Sequence, residues 1–181
     1  IKKEFNKNKI ERVKDDIDIL CNPKEKLLLP QQKFLKNFIS PNTPYNSLLI
    51  YHGTGVGKTC AAISIAEGFR NVMRHYDNKI LVILSQNLKD NFKKELYDVD
   101  EESRKIHPDD RVQCTGDIYS SIVEKTNLTK AQKMKKVGSV IKMQYSFMGY
   151  RKFANNVKRL LNWNENKKFS NLSEEDINII K

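Results

Sequence analysis

The stretch Ser47-Leu48-Leu49-Ile50-Tyr51-His52-Gly53-Thr54-Gly55-Val56-Gly57-Lys58-Thr59 decides how this chain is read. Four apolar residues, 48–51, enter a turn with glycine at 53, 55 and 57. Lys58 and Thr59 then lead into the helix-forming run Cys60-Ala61-Ala62-Ile63-Ser64-Ile65-Ala66-Glu67. Strand, glycine turn, Lys-Thr and helix is the order in which a chain cradles phosphate. Glycines let backbone N–H groups converge on phosphate oxygens without interference from Cβ, and the helix start adds unpaired N–H groups and a positive dipole end. The candidate phosphate-binding residues are therefore Gly53, Thr54, Gly55, Val56, Gly57, Lys58 and Thr59. Lys58 is the candidate catalytic residue, reaching the β- and γ-phosphates, and the Thr59 hydroxyl is the candidate Mg²⁺ ligand.

The longer phosphate-loop pattern needs glycine at position 52, and the chain has His52. What remains, Gly55-x-Gly57-Lys58-Thr59, is similar to the shorter motif I of superfamily 1 and 2 helicases. An ordinary glycine turn between strand and helix is the alternative. The flanking elements favour nucleotide binding.

With 181 residues, 39% of them hydrophobic, the chain has the length of one domain and can bury a core. It begins at Ile1, which reads as a cut or processed end. No apolar run is long enough to span a membrane, and the first twenty residues lack the apolar centre of a secretory signal. The three cysteines, Cys21, Cys60 and Cys114, are far apart and form no C-x-x-C pair. That argues against a disulfide scaffold or zinc site and for an intracellular, reducing compartment. Cys60 reads as a small buried side chain at a helix start. A net charge of +11 and a pI near 9.5 suggest an anionic partner such as nucleic acid. Lysine-rich coding bias gives the same charge without a binding role, so composition leaves both open.

Residues 1–26 read as a polar lead-in, helical around Glu11 to Leu20, with a break at Pro23. From residue 27 the pattern turns amphipathic: Gln32, Phe34, Leu35, Phe38 and Ile39 fall at helical spacings behind Pro30. A first long helix is predicted from Lys58 to about His75. The continuous apolar run Ile80-Leu81-Val82-Ile83-Leu84 predicts a strand covered on both faces, as in a parallel sheet. Leu88, Phe92 and Leu96 mark a following helix. Residues 98–110 read as a surface loop or short helix, and Val112 to Gly116 as a short strand ending in a turn. Thr129-Lys130-Ala131-Gln132 fits a helix-capping box, with Lys130, Lys133, Lys135 and Lys136 on a solvated face. Val140 to Tyr145 is predicted as a further strand. Tyr150, Phe153, Val157, Leu160 and Leu161 mark one face of a helix, with Tyr150 packing into the core in preference to stacking on a base. Asn162 to Lys168 reads as a linker, and Ser173-Glu174-Glu175-Asp176 as the start of a last short helix.

In this order the chain resembles the N-terminal part of the superfamily 2, SNF2-like helicases and ATPases of large nucleocytoplasmic DNA viruses. That group includes the poxvirus early transcription factor small subunit and nucleoside triphosphatase I. The resemblance lies in LPQQKFLKNFISPNTPYNSLLIYHGTGVGKTCAAISIAE (29–67), then in ILVILSQNLKDNFKKEL and QYSFMGYRKFANNV, about half the chain. It implies an α/β, RecA-like P-loop NTPase fold with a parallel sheet, over residues 27–181 and incomplete at the C-terminus. It implies ATP and Mg as cofactors. Gln32, upstream of the phosphate loop, would recognise the adenine edge, for which an amide both donates and accepts. Ser85, Gln86 and Asn87 would track a nucleic-acid backbone at a strand's carboxyl end, and Arg151 would contact phosphate. The partners implied are nucleic acid, with DNA favoured over RNA, and a viral RNA polymerase or transcription factor subunit. The place implied is the virion or host cytoplasm.

One departure stands out. Hydrolysis needs an Asp-Glu after a run of large apolar residues, to hold Mg²⁺ and orient water. In this sequence Glu174-Glu175-Asp176 precedes its apolar residues, and Asp15-Asp16 lies far upstream. In the resembled family that acid would begin just beyond Lys181, so the chain reads as a fragment that binds Mg-ATP without turning it over. Two rival readings remain: a P-loop kinase, for which no arginine-bearing lid is visible, and a non-enzymatic basic module that contacts nucleic acid.

Overall fold

The computed structural model describes residues 28–103, 113–124, 127–163, 173–175 and 178. The lead-in, with the helix expected in it, and Cys21 lie outside the described residues, as do most of the expected linker and 104–112. Helix α1 spans Pro30–Phe38, with proline at its start, where a missing N–H costs nothing. It buries Gln32 and Leu35. Phe38 stacks on Tyr45 with ring centroids 4.2 Å apart, which ties the approach to the glycine turn back onto α1.

The expected long helix is two. α2 spans Lys58–Gly68 and α3 spans Arg70–His75, with Phe69 as the joint. Gly68, the weakest helix former of the run, stands at the break. β1, Ile80–Ile83, pairs in parallel with β2, Tyr145–Met148, in the register Ile80–Tyr145 to Ile83–Met148. The Leu84 N–H extends the pairing to the Met148 carbonyl at 3.1 Å. Leu81 stays 46% exposed, so β1 is not covered on both faces.

Between the strands come a 3-10 turn at Gln86–Leu88, α4 (Lys89–Leu96), α5 (Val99–Glu102) and a 3-10 turn at Ser120–Ile122. Then comes α6, Lys130–Gln144. α6 opens with the expected capping box, in which Thr129 accepts from the Gln132 N–H. Its length corrects the strand predicted at 140–145. Val137, Ile141 and Gln144 are buried at helical spacing, and strand begins only at Tyr145. The strand predicted at 112–116 is likewise absent from 113–116, where Gln113, Cys114 and Thr115 are buried within a turn. Thr115 Oγ1 donates to the Leu96 carbonyl, so a side chain takes the place of a ladder. α7 spans Tyr150–Leu160. Residues 174, 175 and 178 are helical.

The core gathers Ile63 from α2, Leu96 at the end of α4 and Tyr97 after it, and Cys114, Tyr119 and Val123 from the turn segment. Val137 and Ile141 from α6 and Tyr145 from β2 complete it. This is an α/β fold with a small parallel sheet. The predicted strand ahead of the glycine turn does not form: 45–50 is irregular, with Leu49 88% and Tyr51 93% exposed. A strand exists only by pairing its N–H and C=O groups, and no described residue pairs with this one.

Candidate functional site

The glycine turn has the backbone that its sequence demands. Gly55 and Gly57 both hold φ at +76°, a left-handed conformation that is costly for a residue with a Cβ. Gly57 is the N-cap of α2 and brings no capping side chain, so the first N–H groups of α2 are left for another acceptor. The Lys58 ammonium turns back over the loop, donating to the His52 carbonyl at 3.2 Å and the Gly53 carbonyl at 2.5 Å. Only the backbone of His52 is used in this contact, which any residue can supply. That is a physical reason for histidine to be tolerated where the longer pattern has glycine. Thr59 is exposed at the start of α2.

Gln32 is 4% exposed and sits against the loop. Its Oε1 accepts from the Leu29 N–H at 2.8 Å, and its Nε2 donates to the Gly57 carbonyl at 3.0 Å. A Cβ at Gly57 would run into this amide, a second reason for glycine there. Gly57 also accepts from the Ala61 N–H at 3.0 Å, so its carbonyl joins α1, the loop and α2.

Sequence reasoning missed the other end of α2. Glu67 is buried, and its Oε1 accepts from the hydroxyls of Tyr145 at 2.6 Å and Tyr119 at 2.9 Å. Arg70 donates to Oε2 at 3.1 Å and lies over the Tyr119 ring. Burial first, and then the neighbouring Glu67 charge, push both tyrosine hydroxyl pKa values up. The available signal was a single acid inside an otherwise apolar helical run. Cys60, on the same helix, is joined to Cys114 in a disulfide with Cα atoms 5.3 Å apart. This corrects the expectation that Cys60 and Cys114, far apart in sequence, form no disulfide: residues 54 positions apart meet because the turn at 113–119 packs on α2.

The residues predicted for nucleic acid lie at the carboxyl ends of the two strands. A groove of about 690 Å³ there is lined by Gln86, Lys89, Met148, Arg151, Lys152 and Asn156 among others. It brings together Gln86 and Arg151. Ser85 stands at the start of the 3-10 turn beside it without a side-chain capping bond, and Asn87 is exposed, but neither is among its lining residues. Tyr150 is 62% exposed at the start of α7, which corrects the expectation that it packs in the core. Among the described residues no group of three or more His, Cys, Asp or Glu is placed to hold a metal ion. None of the described helices is long and apolar enough to cross a membrane.

Against curated proteins, the chain is 34% identical over 152 residues to an inferred ATP-dependent RNA helicase of Acanthamoeba polyphaga mimivirus. It is 33% identical over 168 residues to a second from the same virus. In sequence the chain is homologous to parts of helicase-like proteins of large DNA viruses. The two alignments take in 81% and 88% of this chain but only 12% and 26% of the relatives, so it spans about a quarter of their length or less. A further relative is the early transcription factor large subunit homolog of African swine fever virus, 53% identical over 49 residues. That match covers 27% of this chain and 4% of the relative. No family model and no solved structure matches the chain.

Proposed function

We propose that this chain is the phosphate-binding part of a RecA-like, nucleic-acid-dependent ATPase acting in viral transcription, in the virion or host cytoplasm. The observation that carries it is the pair of left-handed glycines, Gly55 and Gly57, leading into the uncapped start of α2. The residues of the loop suit a nucleotide. N–H groups from Gly53 to Thr59 would hold phosphate oxygens, Lys58 would exchange loop carbonyls for the β- and γ-phosphates, and the Thr59 hydroxyl would hold Mg²⁺. ATP supplies the phosphoanhydride whose cleavage powers the parent ATPase. Gln32 holds the loop through Gly57, and a shift of its amide would let it read the adenine edge.

In the groove, Arg151 meets backbone phosphate beside Gln86, with Ser85 and Asn87 flanking the strand. The family resemblance favours DNA, while the mimivirus relatives are named for RNA. A viral RNA polymerase or transcription factor subunit is the protein partner of this reading.

Titration of a fluorescent ATP analogue with Mg²⁺ into the 181-residue chain tests the core of the proposal. Weak saturable binding, lost in Lys58→Ala and without turnover, is expected. Equal binding by both proteins would overturn it. DNA or RNA binding indifferent to ATP and to Lys58→Ala would favour the basic binding module instead, a reading to which Lys89, Arg151 and Lys152 lend charge.

A further inference from the structure

We propose that Cys60 and Cys114 form a reversible redox pair that sets how tightly the phosphate loop holds nucleotide. The consequence for nucleotide rests on the function proposed above; formation of the pair does not. Cys60 is the third residue of α2, directly after Thr59, so its N–H is one of the unpaired donors at the helix start. Its partner Cys114 lies in a segment that is itself anchored. Gln113 exchanges two hydrogen bonds with the Asp98 backbone, at 2.8 and 3.2 Å, and Thr115 bonds the Leu96 carbonyl at 2.9 Å. The same segment reaches the far end of α2 through Tyr119 and Glu67. α2 is therefore strapped twice to one segment: by the disulfide beside the loop, and two helical turns later by a buried hydrogen bond. Opening the disulfide removes the strap at the nucleotide end and leaves the other.

The chemistry closes with a low-molecular-weight disulfide as oxidant. The partly exposed Cys60 thiolate attacks one sulfur of that disulfide, whose S–S bond breaks and releases one small thiol. Cys114, as thiolate, then attacks the Cys60 sulfur and releases the second. Two protein thiols are oxidised and one small disulfide is reduced to two thiols, which carry the two protons away. Glu95 Oε2 lies 3.5 Å from the Cys114 sulfur, placed to accept the thiol proton before the attack and to pass it to the departing small thiolate. Small thiols reverse the sequence by attacking at Cys60.

Holding the helix start in place lowers the ordering cost of binding, so the oxidised form is expected to bind Mg-ATP about three- to tenfold more tightly than the reduced form. The full chain, carrying Cys21→Ser to remove the third thiol, is equilibrated in oxidised or reduced glutathione. Protein thiols are then counted by alkylation and mass, Mg-ATP affinity is measured, and hydrogen exchange is followed at Lys58 to Ala62. Loss of both thiols on oxidation, slower exchange there and tighter binding, all abolished by Cys114→Ser, is the expected result. Two thiols that persist in oxidised glutathione would overturn the pair. A disulfide that forms without changing exchange or affinity would overturn its role at the loop. Failure to bind ATP in either state would sink the nucleotide reading, and with it the control of affinity, while thiol count and exchange still report on the pair.

Discussion

The Gln32 amide donates to the carbonyl of Gly57, 25 residues further along the chain, at 3.0 Å. α1 thereby holds the residue that turns the glycine loop into α2. Removing this bond in Gln32→Ala also strips the Leu29 N–H of its acceptor. The expected loss is about 1 kcal/mol, or about a fivefold rise in Kd for Mg-ATP. Calorimetric titration of both proteins checks it; unchanged affinity would show that Gln32 only packs.

Glu67 is the second place where α2 is held. Tyr145→Phe removes one hydroxyl from a buried carboxylate that keeps its bonds to Tyr119 and Arg70. A destabilisation of about 1–3 kcal/mol is expected in urea unfolding. Glu67→Gln should cost at least as much, because the Arg70 guanidinium loses its charge partner.

The buried hydroxyls also fix how stability depends on alkali. Burial, then Glu67, raises the pKa of Tyr119 and Tyr145, and burial, then Glu102, Asp98 and Glu124, pushes Tyr97 up from 10.0 to about 12. A raised pKa favours the protonated, folded form. The stability these groups contribute is fully present below pH 10.0, the ordinary tyrosine value, and is lost as pH rises toward and through the folded values. Phenolate absorbance should show three tyrosines ionising late and together with unfolding. Ionisation of all seven in the folded state would contradict the buried cluster.

The Cys60–Cys114 link closes a loop of 54 residues. Loop-closure entropy assigns such a link roughly 4 kcal/mol of stability. Denaturant midpoints with and without reductant should differ accordingly, and Cys114→Ser should match the reduced protein under both conditions.

Arg151 lines the groove at the strand ends. Arg151→Ala should weaken binding of single-stranded oligonucleotides of any sequence and lower the slope of log K against log salt by about one. A changed sequence preference with an unchanged slope would argue for contact with a base rather than a phosphate.

The loop was legible because its information is local. Left-handed turns ask for glycine at 55 and 57, and the helix start follows directly at Lys58, so spacing alone located the turn and the helix it enters. The Thr129 cap and the apolar run at 80–83 were legible for the same reason. Position 140–145 misled because Val140 and Ile141 suit a strand by composition, whereas the capped helix behind them continues to bury Val137, Ile141 and Gln144 on one face. Tyr150 was misread because periodicity marks a stripe without showing where packing ends. Contacts of Glu67 with Tyr119 and Tyr145 span 52 and 78 residues, and that of Cys60 with Cys114 spans 54. No local pattern encodes such meetings; they follow from how the turn segment and β2 close on α2.

The most direct test of the central claim is hydrogen exchange at the amides of residues 53–60 with and without saturating Mg-ATP. The phosphate-cradle account predicts that ATP protects this stretch in the wild-type chain and fails to do so in Lys58→Ala. Unchanged exchange at 53–60, with ATP bound and protecting residues elsewhere, would contradict it.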